Sequence, residues 1–155
     1  MDLVEFTADK ITAKAGPFNI TNVSFSIKSG DILGVVGRSG AGKSTVIRQL
    51  ISRKKPVSGS ITVKINNVIA NLHDIIGYSP QDNALYPFLS LEENLITFGE
   101  LHNVKKKDIL QKADFLYKRL DLRMSKHKKI RELSGGMQKR ADLAASLIHD
   151  PQVLI

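Results

Sequence analysis

Residues 37–45 read "GRSGAGKST": two glycines bracket four residues, and a lysine and two hydroxyls follow at once. This spacing is that of a phosphate-binding loop. Gly37, Gly40 and Gly42 let the backbone wrap until successive N–H groups, those of Ser39 and Ala41 among them, converge on phosphate oxygens. A helix starting beside Gly42 adds the positive end of its dipole. Lys43 is placed to reach the β- and γ-phosphates of a nucleotide, the Ser44 hydroxyl to ligate Mg2+, and Thr45 to support a phosphate oxygen.

Such a loop works only between a buried strand and a helix. "ILGVVG" (32–37) is apolar almost throughout, as expected of a strand buried on both faces of a parallel sheet. Behind the loop, Val46, Ile47, Leu50 and Ile51 recur at helical spacing. Upstream, residues 3–14 mix apolar and polar positions, and Val23, Phe25 and Ile27 alternate before a Ser-Gly turn, which predicts antiparallel strands with one wet face. Residues 57–67 read as a further turn and strand. Between Leu89 and Arg131 the period becomes helical, with Ile109, Ala113, Leu116, Tyr117 and Leu120 on one stripe. A last helix opens at Ser134, an N-cap hydroxyl, and buries Met137, Ala141, Ala144, Ala145 and Ile148 before Pro151 stops it. "VLI" (153–155) begins another buried strand.

The bulk numbers narrow the field around this loop. A chain of 155 residues, 42% hydrophobic and 25% charged, can bury one real core. Its net charge of +8 permits phosphorylated ligands, anionic lipid or nucleic acid without choosing among them. Part of that excess sits in "RKK" (53–55) and "KKK" (105–107), runs that read as solvated surface. With no cysteine there is neither a disulfide framework nor a thiolate metal site. His73, His102, His127 and His149 show no metal-ligand spacing and read as surface residues. No apolar run approaches the roughly 20 residues of a membrane helix, and the acidic, alternating start is unlike a secretory signal.

Two downstream stretches carry the rest of the chemistry. In "LSGGMQKRADLAASLIHDPQVLI" (133–155), Ser134, Gly135 and Gly136 place a hydroxyl and bare backbone N–H groups at a helix N-terminus, an anion site in its own right. Together with "YSPQDNALYPFLSLEENL" (78–95) and the glycine loop, it resembles the nucleotide-binding domain of ABC transporters, in the correct order over nearly the whole chain. The resemblance implies an α/β fold: a P-loop NTPase (RecA-like) core, an N-terminal antiparallel β subdomain and an inserted α-helical subdomain. The boundaries fall at about 1–87 for the β subdomain and core, 88–133 for the helical insert, and 134–155 for the signature helix and the start of the Walker B strand.

The resemblance also implies ATP and Mg2+ as ligands. Lys43 and Gln81 carry catalytic roles, Gln81 helping Ser44 to hold the metal. Ser134, Gly135, Gly136 and Gln138 meet the γ-phosphate of ATP bound to a second nucleotide-binding domain. The segment from Gln81 to Ser90, with Tyr86 and Phe88 as anchors, is where a membrane permease subunit docks. The expected location is therefore cytoplasmic, peripheral on the inner face of the membrane, with no nucleic-acid partner. Met137 after the second glycine points weakly to the ATPase subunits of two-component exporters.

Two features depart from the family pattern. Its adenine-stacking aromatic falls near "AKAGPFN" (13–19), where alignment places Lys14; Phe18 is the substitute if the turn is longer, and Phe6 reads as core. The aspartate and glutamate that follow the family's Walker B strand, and its switch histidine, do not occur here. The chain is thus expected to bind ATP but hydrolyse it poorly, and to leave a gap in its central sheet. Alternatives are a nonhydrolysing regulatory or remnant module, and a soluble ABC ATPase acting on DNA or ribosomes.

Overall fold

The computed structural model describes residues 2–15 and 18–155, and the chain divides into two compact units, residues 1–73 and 74–155. Residues 74–87, expected from the sequence to lie with the β subdomain and P-loop core, fall in the second unit.

The first unit is built on a long antiparallel ribbon. Strands β1 (Val4–Ala15), β2 (Phe18–Lys28), β3 (Ser58–Ile65) and β4 (Val68–Ile69) form a four-stranded sheet in the order β2-β1-β3-β4. Central β1 buries Val4, Phe6 and Ala8, then Ile11 and Ala13. The parity of the buried positions switches because the ladder to β2 slips between Ala8 and Ile11, where Lys10 takes a φ of 47°. An extra residue inserted in one strand re-aims the side chains beyond it, so the apolar face survives a break in strict alternation. Phe6 is core, as expected, and stacks on Phe25 of β2 at 5.9 Å between ring centroids. Helix α1 (Lys43–Ile51) buries Leu50 and half-buries Val46, Ile47 and Ile51.

The segment 32–37 corrects the sequence-based expectation of a buried strand. It forms no strand, and its side chains are exposed, Ile32 by 99% and Val36 by 96%. A parallel strand is buried only when neighbours supply a ladder on its edges and helices on its faces, and among the described residues none pairs with it.

Residues 74–155 form a helical unit with its own core. Short helix α2 (Leu72–Ile75) leads into β5 (Ile76–Gly77), which pairs in parallel with β6 (Val153–Leu154), the start of the "VLI" strand. Between them lie α3 (Leu91–Leu101), α4 (Lys106–Arg119), two 3-10 turns (Arg123–Ser125 and Ile130–Glu132) and α5 (Gly135–Leu147). The predicted stripe of α4 is buried at Ile109, Ala113, Leu116 and Tyr117, against Leu91 and Leu95 of α3 and Ala141 and Ala144 of α5. Its end residue Leu120 is only half-buried. Helix α3 opens with a full capping box: Ser90 Oγ accepts from Glu93 N, and the Glu93 carboxylate accepts from Ser90 N at 2.7 Å. That backbone bond, seconded by the Ser90 hydroxyl, holds the Glu93 carboxyl below its ordinary range.

The four histidines are not all surface residues. His149 is half-buried, its ring stacked on His102 at 3.7 Å and 4°, with Nε2 3.1 Å from the Ile76 carbonyl. His102 itself stays exposed just past the end of α3, and spacing along the chain does not reveal that the two rings meet. Arg53, Lys54 and Lys55 are exposed, as expected, and so are Lys105, Lys106 and Lys107, although the last two belong to the first turn of α4.

Candidate nucleotide-binding site

Gly37 to Gly42 make a tight turn that delivers the chain into α1. Gly40 and Gly42 have φ of 81° and 90°, backbone that side chains disfavour, and Ala41 N–H closes the turn on the Arg38 carbonyl at 3.2 Å. Gly42 is required twice over: a Cβ there would stand 2.7 Å from Ile20 Cγ2 of β2. The helix then starts at once, with Thr45 and Val46 N–H both bonded to the Gly42 carbonyl at 3.0 Å. No acidic residue sits in its first turn to compete for an anion. Lys43 folds back over the loop, its Nζ donating to the carbonyls of Gly37 at 2.7 Å and Arg38 at 2.8 Å. The ammonium is thereby fixed on the loop backbone, and Ser39, Ala41 and Ser44 of the same stretch are exposed. A cradle of this kind, with one fixed cation and an adjacent hydroxyl, fits a triphosphate and its Mg2+. Among the described residues no group of three or more His, Cys, Asp or Glu could hold a metal by itself.

Lys14 is exposed at the end of β1 and lines a cavity of about 300 Å³ with Thr45, Arg48, Gln49, Lys54 and Lys55. Among the described residues no aromatic side chain lines it. Gly16, Pro17 and the side chain of Phe18, the alternative for adenine stacking, lie outside the described residues.

The second anion site belongs to the other unit. Ser134 has extended backbone (φ −63°, ψ 158°), and its Oγ accepts from Met137 N at 3.4 Å, the N-cap its position predicts. Gly135 and Gly136 are exposed, and an added Cβ would meet nothing within 4 Å at either. They keep the helix end bare rather than relieving a clash. As in α1, no acidic residue occupies the first turn. Gln138 behaves differently from the ligand contact the resemblance implied. Its Nε2 donates to the carbonyls of Ile130 and Leu133 at 3.1 and 3.0 Å, and its Oε1 accepts from Asn83 at 3.1 Å. Its amide is engaged within the chain, bracing the turn that presents Ser134.

Gln81 lies on an exposed loop, and no hydrogen bond from the described residues restrains its side chain. The residues around it are tied down. Ser79 donates to Asp142 at 2.9 Å, Ala84 N donates to the same carboxylate at 3.3 Å, and Lys139 donates to Ser79 Oγ and to the Pro80 carbonyl. Further on, Tyr86 and Phe88 are exposed; Phe88 carries the Arg131 guanidinium over its ring at 5.0 Å, and Tyr86 leans on Phe98. Their backbone is set by Asn94, fully buried in α3. Its Oδ1 accepts from Tyr86 N, and its Nδ2 reaches the carbonyls of Tyr86 and Ser90. Sequence reasoning missed Asn94, Lys139 and Asp142. Only Asp142 carried a signal, a carboxylate between Ala141 and Leu143; Asn94 follows two glutamates and Lys139 stands between Gln138 and Arg140, so neither stood out.

A glycine loop closing on a lysine at a helix start, in a mixed α/β chain with a second helix that a serine caps ahead of two glycines, defines a P-loop NTPase. Solved structures share the fold. The chain superposes over 94% of its length on 62% of an ATP binding subunit of an ABC transporter (TM-score 0.81, 22% identity). It superposes over 98% on 29% of a bacterial Atm1-family ABC exporter with ATP bound (TM-score 0.78, 22% identity). The chain belongs to the ABC transporter family, whose model matches residues 20–155. It is similar to the daunorubicin resistance ATP-binding protein DrrA3 of Streptomyces coeruleorubidus, 37% identical over 87% of this chain and 44% of that protein. The linearmycin resistance ATP-binding protein LnrL of Bacillus subtilis is 35% identical over 88% and 45%. ABC transporter G family member 23 of Dictyostelium discoideum is 36% identical over 88% and 20%. The chain thus spans less than half the length of these relatives. Among the described residues no helix is long and apolar enough to cross a membrane.

Proposed function

We propose that this chain supplies the ATP-binding half of an ABC transporter ATPase, and that its P-loop holds the triphosphate. The observation that carries the reading is the Lys43 ammonium fixed over a glycine turn at the start of a helix free of acidic side chains. Backbone N–H groups from Gly40 to Ser44 bind the phosphates, Lys43 neutralises the terminal ones, and Ser44 and Gln81 hold Mg2+, which when bound offsets phosphate charge. Thr45 supports the same phosphates.

Ser134, Gly135 and Gly136 serve a nucleotide held by a second nucleotide-binding domain, so that two ATP molecules are sandwiched on closure. Tyr86 and Phe88 anchor a permease subunit, which keeps the chain at the cytoplasmic face of the membrane. The resistance proteins among its relatives support an exporter.

The test is ATP titration by calorimetry. Lys43→Ala should weaken ATP binding at least tenfold through the lost charge-assisted contacts. Ser134→Arg should leave that affinity alone while blocking ATP-dependent dimerisation. Unchanged ATP affinity in the lysine variant would overturn the phosphate reading, and ATP-dependent dimers of the serine variant would overturn the role of the signature in trans.

A further inference from the structure

Asp142 is 97% withdrawn from solvent yet lies on neither of the two anion-binding helix ends, and nothing in the mechanism above uses it. A buried carboxylate is costly unless it is bonded on all sides. Here every bond it makes inside the chain runs to one loop or to the lysine that serves the same loop. Oδ2 accepts from Ser79 Oγ at 2.9 Å, Oδ1 from Ala84 N at 3.3 Å, and Lys139 Nζ stands 3.5 Å away while itself donating to Ser79 Oγ and the Pro80 carbonyl. One turn nearer the helix start, Gln138 holds Asn83. Three residues of α5 thus grip residues 79, 80, 83 and 84, both flanks of Gln81, and leave the Gln81 side chain as the free projection between them.

We propose that Asp142, with Lys139, is the positioning residue for Gln81. The first two turns of α5 form a clamp that makes the signature helix and the Gln81 loop move as one piece. The geometry favours this over simple core filling. A buried acid needed only for packing would bond its own helix, whereas this one bridges two points five residues apart on a loop whose central side chain is exposed. The proposal rests on the reading of Gln81 as a magnesium-holding residue. It adds that the aim of Gln81 depends on a carboxylate that touches neither metal nor nucleotide.

The experiment is the ratio of ATP affinities with Mg2+ and with EDTA, measured by calorimetry on the wild-type chain, Gln81→Ala, Asp142→Asn, Lys139→Gln and the Gln81→Ala/Asp142→Asn double variant. Asp142→Asn keeps the shape but loses the charge and one acceptor, and should cut the magnesium-dependent gain about fivefold. Its affinity in EDTA should stay at the wild-type value, a split that general destabilisation does not produce. Lys139 is on the surface, so Lys139→Gln carries little folding risk and should move the ratio in the same direction by less. The double variant should be no worse than Gln81→Ala alone, because both act through one group. A full magnesium gain in Asp142→Asn, or additive losses in the double variant, would overturn the clamp while leaving Gln81 its role. If Gln81→Ala itself keeps the full gain, the reading of Gln81 falls and the clamp's purpose falls with it.

Discussion

Single residues set the tolerances of this molecule. Gly42 combines a φ of 90° with an approach of 2.7 Å to Ile20 Cγ2 for any added Cβ, so Gly42→Ala faces both backbone strain and a clash. The strain alone is about 1–2 kcal/mol. A melt should show a lower midpoint and an ATP titration a weaker complex; a melt and titration like wild type would mean that the loop has another resting shape. His149 makes a pH-dependent contribution. Burial, and then the neighbouring His102, push its pKa below the ordinary histidine value, against the bond to the Ile76 carbonyl that raises it. A base depressed in the fold binds fewer protons than in the unfolded chain, so stability rises with pH across that window. Full stability is expected above about pH 6.5, with loss as the pH falls from there toward the folded-state value. His149→Gln should flatten the curve of melting temperature against pH between about 7.5 and 5, the range in which histidine titrates; an unchanged slope would place the pH response elsewhere.

At the scale of elements, the loop from Tyr86 to Ser90 and the start of α3 are one structure. Ser90 caps the helix, while Asn94, one turn in, ties the loop backbone to it through the amide of Tyr86 and the carbonyls of Tyr86 and Ser90. Removing the cap with Ser90→Ala should cost about 1 kcal/mol. Asn94→Leu keeps the forked outline, with bulkier ends, but strands buried polar groups at about 1–3 kcal/mol each, so its loss should be clearly larger. Urea denaturation of both variants checks the order; an equal or smaller loss for Asn94→Leu would mean that the loop satisfies its backbone without the asparagine. The same buried amide thus fixes the backbone on both sides of Phe88, in the stretch that leaves Tyr86 and Phe88 exposed.

The whole molecule is uneven in its packing. The helical unit buries a continuous core, whereas residues 32–37 leave an apolar, unpaired stretch ahead of the phosphate loop. Such a segment is a template for association with another chain. Replacing Ile32 and Val36 together by lysine should lower self-association in light scattering and move the unfolding free energy by no more than about 0.5 kcal/mol, the range for exposed positions. A marked drop in stability would show that these side chains are packed in solution.

The sequence alone determined the glycine turn ahead of α1 and most of the elements. Glycine spacing followed by lysine and two hydroxyls specifies a phosphate cradle locally, an N-cap serine specifies a helix start, and the α4 stripe fixes a buried face through its period. All are properties of neighbours along the chain, and the glycine loop, the Ser134 cap and the core of α4 were legible for that reason. Only the tertiary structure decided what depends on distant partners. The burial expected of residues 32–37 needed strands on either side and did not materialise among the described residues. His149 owes its lowered proton affinity first to burial and then to a ring 47 positions away in the sequence. Asp142 found its partners across 63 and 58 residues. Gln138, which looked like a ligand contact, was claimed by carbonyls of the turn before it. A local pattern states which groups a residue can bond, and packing decides which of them it meets.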